Sequence, residues 1–119
     1  MRPRPTFFLD IDGTILSYPE DWEIEVLEQQ VLLPGAKDFF KQCDAIGAKI
    51  IITTGRKESL RTFTEKQLAQ HGIHYEALLL GVGGNRVLVN DYRIDGSSAA
   101  FAVNVKRDGG LDLNIEDLV

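Results

Sequence analysis

The sequence predicts an α/β fold, a three-layer α/β/α sandwich built on a mostly parallel sheet. Short apolar segments typical of buried strands alternate along the chain with segments whose apolar residues recur at helical spacing. This strand–helix–strand order implies parallel strands joined by right-handed crossovers, with helices covering the sheet. The 119 residues suffice for one hydrophobic core and are too few for two. We therefore expect residues 1–119 to form a single domain.

The elements follow from the local patterns in chain order. TFFLDI reads as a buried strand that leads into the polar DGT. Helices are predicted over PGAKDFFKQCDAIG and ESLRTFTEKQLAQHG, where Gly47 and Gly72 provide the stops. AKIIITT is apolar on both faces, as in a parallel sheet that is covered on both sides. The other predicted strands are EALLLG, RVLVND and AAFAVNV, and NIEDLV is expected to make a final helical turn.

Residues 17–33, SYPEDWEIEVLEQQVLL, mix turn signals with alternating acidic and apolar residues. Alternation of this kind favours a short hairpin or flap over a helix. Two aromatic residues lie in this segment, Tyr18 and Trp22. They either cover a substrate or a partner subunit, or pack on the core of their own chain.

Composition and charge limit the classes of function. The formal net charge of −5 argues against broad nonspecific binding of nucleic acid. Cys43 is the only cysteine, which excludes an intramolecular disulfide and indicates a reducing compartment. No apolar run has the length of a membrane span, and the N-terminal MRPRPTFF lacks the long apolar stretch of a signal peptide. We expect a cytoplasmic protein with no membrane partner and no nucleic-acid partner.

Polar residues stand at the ends of three predicted strands. Ligands of open parallel sheets bind beyond the carboxyl ends of the strands, so these residues are expected to converge. They are Asp10 and Asp12, Thr53 and Thr54, and Asn90 and Asp91.

These converging groups suit phosphoryl chemistry. Asp10 and Asp91 are the natural side-chain ligands for a hard cation such as Mg²⁺, which would also offset the repulsion between Asp10 and Asp12. An ionised carboxylate can attack phosphorus, and a second carboxylate can give a proton to the leaving group. Hydroxyl and N–H groups after Thr54 would bind the phosphoryl oxygens.

Three segments resemble the motifs of one known family. DIDGT (residues 10–14), IIITTGR (50–56) and RVLVND (86–91) are similar to motifs I, II and III/IV of the haloacid dehalogenase (HAD) superfamily. They occur in the family's order and on the predicted strands. The resemblance implies a Rossmann-like core and a Mg²⁺-dependent phosphomonoester hydrolase that works through an aspartyl-phosphate intermediate.

The resemblance also implies a role for each matching residue. Asp10 would be the nucleophile and a metal ligand. Asp12 would be the general acid/base, and its backbone carbonyl would touch the metal, so that Asp10, Asp12 and Asp91 form the metal site. Thr54 would bind the transferring phosphoryl group. Asn90 departs from the pattern, since many relatives carry a second acid there.

The basic residues near the site leave alternatives open. Arg86 is the first choice for the basic residue of motif III, and Lys57 is the alternative. Gly55, Arg56 and Lys57 follow Thr54 directly and are predicted to bind substrate. For Arg56 and Lys57, a solvated helix face is the alternative interpretation.

The spacing of the motifs leaves no room for a cap domain. Nineteen residues separate Thr14 from Pro34, enough for a flap only, and one helix and one strand fill the segment from Thr54 to Arg86. Capless relatives act on macromolecular phosphates, or form homo-oligomers in which a neighbour covers the site.

We therefore expect a phosphatase that acts on a phosphorylated small molecule, with a sugar phosphate as the first choice. A polynucleotide 3′-phosphatase is the alternative substrate class. A catalytically silent binding or regulatory module is the alternative from another functional class. The intact pair of Asp10 and Asp12 argues against a silent module.

Overall fold

The computed structural model describes residues 4–119, so the first three residues of MRPRPTFF lie outside the described part. The predicted strands and helices between residues 6 and 81 are present, with shorter bounds than their sequence patterns. The elements are β1 (Thr6–Leu9), α1 (Ile24–Leu27), α2 (Ala36–Ile46), β2 (Lys49–Thr53), α3 (Arg61–Gln70) and β3 (Ala77–Leu79), with single 3₁₀ turns at Glu58–Leu60 and Ile115–Asp117.

The sheet has three strands in the order β1-β2-β3, and both pairs are parallel. Phe8 pairs with Ile51, and Ile51 with Ala77, so the three strands are aligned side by side. Crossovers between parallel strands are right-handed as a rule, so two successive crossovers in the same direction place α2 and α3 on one face of the sheet. The predicted α/β class with a parallel, Rossmann-like sheet is confirmed.

The core lies on one face of this sheet. Leu9, Ile52 and Leu78 share a row of the ladder and are buried, and they belong to the same cluster as Phe39 of α2 and Leu68 of α3. Successive strand residues point to opposite faces. The face that carries the core is therefore the one that the two helices cover.

The opposite face of the sheet is open. It presents Phe8, which is 55% exposed, half-buried Ile51, and Leu79, which is 46% exposed. We call these three residues the open face. Within residues 4–119, no helix layer covers it, so the third layer of the predicted sandwich is not formed by the described chain.

The helix ends follow the sequence signals. α2 ends at Gly47, whose backbone is left-handed, and the Ala48 N–H donates to the Cys43 carbonyl. α3 ends just before Gly72, and NIEDLV contains the expected final turn. No helix in the described part of the chain is both long and apolar enough to cross a membrane.

The flap, residues 17–33, combines a hairpin closure with a helical turn. Leu16 pairs with Leu32 in an antiparallel bridge, and the Ser17 N–H donates to the Val31 carbonyl at 2.9 Å. Between these ends lies α1, a single turn that buries Leu27. The predicted hairpin is therefore confirmed at the base of the flap. At the tip, where no helix was expected, the chain forms the helical turn α1.

The predicted strands RVLVND and AAFAVNV are wrong, because no strand forms after β3 in the described residues. Only six residues, 80–85, separate β3 from Arg86, whereas a parallel crossover needs a dozen or more. Residues 87–103 instead form a two-legged segment that we call the arm. Its legs meet at a turn where the Arg93 N–H donates to the Ser97 carbonyl and Tyr92 bridges Ser98.

The C-terminal segment docks against the start of α2 through glycine. The Leu111 N–H donates to the Pro34 carbonyl at 2.8 Å, and a Cβ on Gly110 would collide with that carbonyl oxygen. Gly110 also has a left-handed backbone with φ of 91°. Both features demand glycine here.

We predict that Gly110→Ala destabilises the fold more than Gly72→Ala does. Gly72 has φ of 72° and open space where a Cβ would stand, so alanine there costs about 1–2 kcal/mol from backbone strain alone. At Gly110 overpacking adds about 1–3 kcal/mol. Free energies of unfolding from urea titration measure both, and equal losses would contradict the close approach.

Candidate active site

A pocket of about 920 Å³ opens at the carboxyl ends of the strands. It contains seven residues that the sequence predicts to be functional, and Asp91 is not among its lining residues. The seven are Asp10, Asp12, Thr54, Gly55, Arg56, Lys57 and Arg86.

A tight turn after β1 presents the two motif I carboxylates. The Ile11 carbonyl accepts hydrogen bonds from the N–H groups of Thr14, Ile15 and Leu16, at 3.1, 2.9 and 3.0 Å. Gly13 within this turn has φ of 87°, a conformation that suits glycine. The apolar strand is thus the rigid support for Asp10 and Asp12.

Asp12 is buried and forms an ion pair with Arg56. Arg56 Nη2 donates to Asp12 Oδ1 at 2.8 Å, and Arg56 Nε donates to Oδ2 at 3.0 Å. The side chains are 0% and 6% exposed for Arg56 and Asp12. The bidentate geometry matches the planar guanidinium to the carboxylate.

The other donors of Arg56 are also used within the protein. Nη1 donates to Thr64 Oγ1 and Gln67 Oε1, and Nη2 donates to Gln30 Oε1 at 3.0 Å. All five guanidinium N–H groups therefore have protein partners. The side chain of Arg56 is neither a substrate contact nor part of a solvated helix face, which corrects both sequence interpretations of this residue.

Gln30 connects the flap to this ion pair. Its Nε2 donates to Asp12 Oδ1 and to the Ser17 carbonyl, both at 2.7 Å, while its Oε1 also accepts from Gln67 Nε2 at 3.1 Å. Gln67 in turn donates to the Leu27 carbonyl of α1. Sequence reasoning missed Gln30, Gln67 and Thr64, since only the fold brings these three polar residues together.

Asp10 has a different environment, although it lies two residues away. Its side chain is 35% exposed in the pocket, and Arg86 Nη2 lies 3.6 Å from its Oδ1. Burial raises the pKa of Asp10 above 3.8, and the nearby Asp12 charge adds to this. Arg86 and hydrogen bonds from Ile11 and Thr14 lower the pKa without cancelling the effect of burial.

The residues after β2 form the wall next to Asp10. Thr54 is 1% exposed, its N–H donates to the Leu79 carbonyl, and its Oγ1 accepts the Arg56 N–H at 3.1 Å. Its hydroxyl proton is left to donate elsewhere. Lys57 is exposed and lines the pocket, so both candidates for the basic motif III residue are present, with Arg86 in contact with Asp10.

Arg107 is a pocket residue that sequence reasoning missed. Its guanidinium lies 3.9 Å from the centre of the Tyr18 ring, and Tyr18 and Trp22 pack edge to face at 5.9 Å. All three line the pocket. Asp108 fixes this corner, because its Oδ1 accepts the Tyr18 N–H at 2.7 Å. The only sequence signal was a cationic pair, KR, next to Asp-Gly-Gly.

The structure does not assemble the predicted trio of Asp10, Asp12 and Asp91. Asp91 is the member that departs, because it lines a separate surface depression beside Tyr92, near the tip of the arm. Asp12 is expected to contribute its backbone carbonyl, and its carboxylate is held by Arg56 and Gln30. In residues 4–119, no cluster of three or more His, Cys, Asp or Glu side chains is arranged to hold a metal. A cation at this pocket would have the carboxylate of Asp10 as its side-chain ligand.

We predict that Asp10→Asn and Asp12→Asn change stability in opposite directions. Asp12→Asn leaves the buried Arg56 charge without its counter-charge, which costs about 3–5 kcal/mol. Asp10→Asn removes a carboxylate that burial makes harder to ionise. The variant should therefore be more stable than wild type at neutral pH.

The sign of the Asp10 effect follows from its raised pKa. Stability that comes from protonated Asp10 is present below pH 3.8 and is lost as pH rises through the higher folded pKa. The advantage of Asp10→Asn should accordingly disappear toward pH 3.8. Thermal unfolding in the presence of a chelator measures it, and a destabilised Asp10→Asn at neutral pH would contradict the assignment.

Comparison with known proteins identifies relatives of this chain. A family model described as HAD superfamily, subfamily IIIB (acid phosphatase), matches residues 2–90. Among curated proteins, none matches significantly. A structure of the Pnkp1/Rnl/Hen1 RNA repair complex contains a chain that is 29% identical, with a TM-score of 0.56 over 78% of this chain and 28% of that one.

Two further structures are similar. A second structure of the Pnkp1/Rnl/Hen1 complex matches with the same identity and TM-score and covers 31% of its chain, so this chain spans less than a third of either relative. A target protein from Vibrio cholerae is 16% identical, with a TM-score of 0.57 over 96% of this chain and 93% of that one, which shows the fold alone. The chain therefore belongs to subfamily IIIB of the HAD superfamily, the family described as acid phosphatases.

Proposed function

We propose that this chain is a Mg²⁺-dependent phosphomonoester hydrolase that acts through a phosphorylated Asp10. One observation supports the proposal above all: the two motif I carboxylates line one pocket but differ in their hydrogen bonds and in their exposure. Asp12 is held by Arg56 and Gln30, while Asp10 is partly exposed beside Arg86. A nucleophile must be reachable by phosphorus, and of the two only Asp10 has this exposure.

The pocket residues support a two-step reaction. The Asp10 carboxylate attacks phosphorus, the bond to the leaving oxygen breaks, and that oxygen takes a proton from Asp12, which takes up this proton at Oδ2 when the substrate binds. Water then attacks the aspartyl-phosphate and gives a proton back to Asp12, which restores Asp10 and releases phosphate. Among the residues that the structure describes, Arg56 alone donates to Oδ2 of Asp12, so the second lone pair of this oxygen is available for the proton.

The cations of the pocket bind the phosphoryl group. Arg86 lies at the Asp10 carboxylate, and Lys57 and the Thr54 hydroxyl line the same pocket. Fixed donors aimed at the transferring group stabilise the charge that develops on its oxygens. We assign Arg86 the motif III role, because it contacts Asp10 directly.

The donor set fits a single Mg²⁺ ion. Mg²⁺ typically takes one or two carboxylates and completes its shell with waters and substrate phosphate. The Asp10 carboxylate and the Asp12 carbonyl would be its protein ligands. The ion would supply positive charge against the phosphoryl oxygens.

For the substrate we propose a small phosphorylated molecule, with a sugar phosphate as the first candidate. The pocket volume of about 920 Å³ is within the range of small-molecule sites. The net charge of −5 disfavours a long polyanion. The lone Cys43 is buried and free, in keeping with the proposed cytoplasmic location.

A polynucleotide 3′-phosphate is the second candidate. Two observations favour it: the 29% identity to a chain of an RNA repair complex, and the aromatic and cationic wall of Trp22, Tyr18 and Arg107. Exposed aromatic rings next to cations can stack bases and hold phosphates.

We predict that Asp10→Asn abolishes phosphate release from a generic phosphomonoester while the chain stays folded. Loss of the nucleophile removes the covalent step, so turnover should fall by several orders of magnitude. Asp44→Asn, an exposed carboxylate on α2 outside the pocket, is the matched control and should keep full activity. Phosphate release and circular dichroism are measured together, and undiminished turnover by a folded Asp10→Asn would refute the nucleophile.

Removal of divalent cations should also stop turnover, and added Mg²⁺ should restore it. Activity that survives exhaustive chelation would remove the cation from the proposal without affecting the role of Asp10. The effect of chelation is measured on wild type with the same phosphate assay.

Trp22→Ala distinguishes the two substrate classes. For a 3′-phosphorylated oligonucleotide that stacks on the ring, we expect KM to rise about 5- to 150-fold with little change in kcat, since stacking contributes about 1–3 kcal/mol per base. If a sugar phosphate is the substrate, as the first candidate states, the kcat/KM of wild type should be higher on the sugar phosphate than on the oligonucleotide. A higher kcat/KM on the oligonucleotide that depends on Trp22 would replace the first candidate by the second.

A further inference from the structure

We propose that the arm, residues 87–103, packs on the open face of the sheet in a second copy of this chain, and that the exchange is reciprocal. The proposal concerns the assembly of the protein and does not rest on the phosphatase function. It is carried by two exposed apolar surfaces on the same chain, neither of which is covered by residues 4–119.

The arm is an apolar segment without a partner. In residues 4–119, its backbone hydrogen bonds are confined to the arm. The molecule extends 50 Å along its longest axis and 27 and 24 Å along the others. Its radius of gyration of 14.9 Å exceeds the value of about 13.5 Å for a compact chain of this length. The apolar side chains exposed on the arm are Val87, Leu88, Val89, Tyr92, Ile94, Phe101 and Val103.

The exposed area is of the size that a dimer buries. These seven side chains together expose on the order of 1,000 Å², against about 800 Å² that each partner contributes to a standard interface. A monomer rarely presents a contiguous apolar surface above a few hundred Å². Ile94 is fully exposed and Val89 is 90% exposed, so the arm gains little from its own chain.

The open face, Phe8, Ile51 and Leu79, is the complementary surface. Parallel sheets occur almost only with both faces covered, and this sheet has one face covered by α2 and α3. Each leg of the arm, 87–92 and 98–103, has six residues and spans roughly 20 Å when extended. Three strands are about 10 Å across, so one arm is long enough to cover the face.

A second copy is the occupant because the chain carries both surfaces. Within one molecule the arm leaves the open face uncovered, since Phe8 and Leu79 stay 55% and 46% exposed while the apolar residues of the arm are exposed as well. When two copies exchange arms, each arm covers the face of the other, and the contact closes on itself with twofold symmetry. Arg86 and Arg107 flank the arm at the pocket, so the interface begins next to the candidate active site.

Sedimentation of the full chain, with variants on both surfaces, tests the proposal. Wild type should have twice the chain mass of 13.3 kDa. Val89→Glu with Ile94→Glu on the arm, and separately Phe8→Glu on the open face, should each give a folded monomer. Val31→Glu is the matched control, since Val31 is an exposed apolar residue of the flap, 61% exposed, and it should leave the dimer intact.

Crosslinking shows which surfaces meet. Phe8→Cys and Val89→Cys are prepared as separate variants, mixed and treated with a bifunctional maleimide, so that any product is intermolecular. Burial raises the pKa of Cys43 to about 11, so its buried thiol should not react with the maleimide. We expect a covalent dimer from this mixture and none when Val31→Cys replaces Phe8→Cys.

A monomeric wild type would overturn the proposal, as would a dimer that survives both the arm and the open-face variants. A dimer with no product from the Phe8→Cys and Val89→Cys mixture would overturn the pairing of these two surfaces. Phosphatase activity is not among these readouts, so a failure here is distinct from a failure of the proposed function.

Discussion

The ion pair between Arg56 and Asp12 is the interaction on which the rest of the site depends. A guanidinium with no exposure to water is costly unless each of its donors is matched, and here all five are. Its partners come from the turn after β1, from the flap and from α3. Because one buried cation requires all of them, these elements have a single arrangement around it. The position of Asp12 is therefore set by the same contacts that join the flap to the core.

This arrangement explains how two carboxylates can stand next to each other at the end of a buried strand. Asp12 is compensated by Arg56 inside the protein, and Asp10 faces Arg86 at the pocket. The difference in surroundings separates their chemistry. The Asp12 carboxylate is held in place by hydrogen bonds from Arg56 and Gln30. Asp10 has no comparable ion pair, and burial raises its pKa. Divergent environments of two neighbouring acids are the usual sign that they have different duties in catalysis. A divalent cation is thus not needed to explain the crowding, although Asp10 remains a suitable ligand for one.

Features that depend on neighbouring residues in the sequence were predicted correctly. The three strands, the helices α2 and α3, the glycine that ends α2 and the convergence of Asp10 and Thr54 were readable from periodicity and strand-end position, whereas Arg86 was expected only from the family resemblance. Arg56 was misread because its burial depends on Gln30 and Gln67, which no spacing rule connects to it. Arg107 was missed because it reaches the pocket from the far end of the chain. RVLVND has the pattern of a strand, but pattern takes no account of connection length, and six residues cannot form a parallel crossover.

The failed strands and the open face have a common physical origin. AKIIITT is apolar on both faces, and such a strand is stable only where both faces of its sheet are covered. The sequence therefore requires a third layer, and the apolar residues of the arm, 87–103, are suited to form it. The connection after β3 is too short for these residues to join their own sheet as a parallel strand. Under the proposed exchange, the same residues serve the sheet of a second copy, so the sandwich that the sequence predicts is completed between molecules and not within one. The apolar pattern then correctly predicts that these residues are buried against a sheet. The error lies in assuming that this sheet belongs to the same chain.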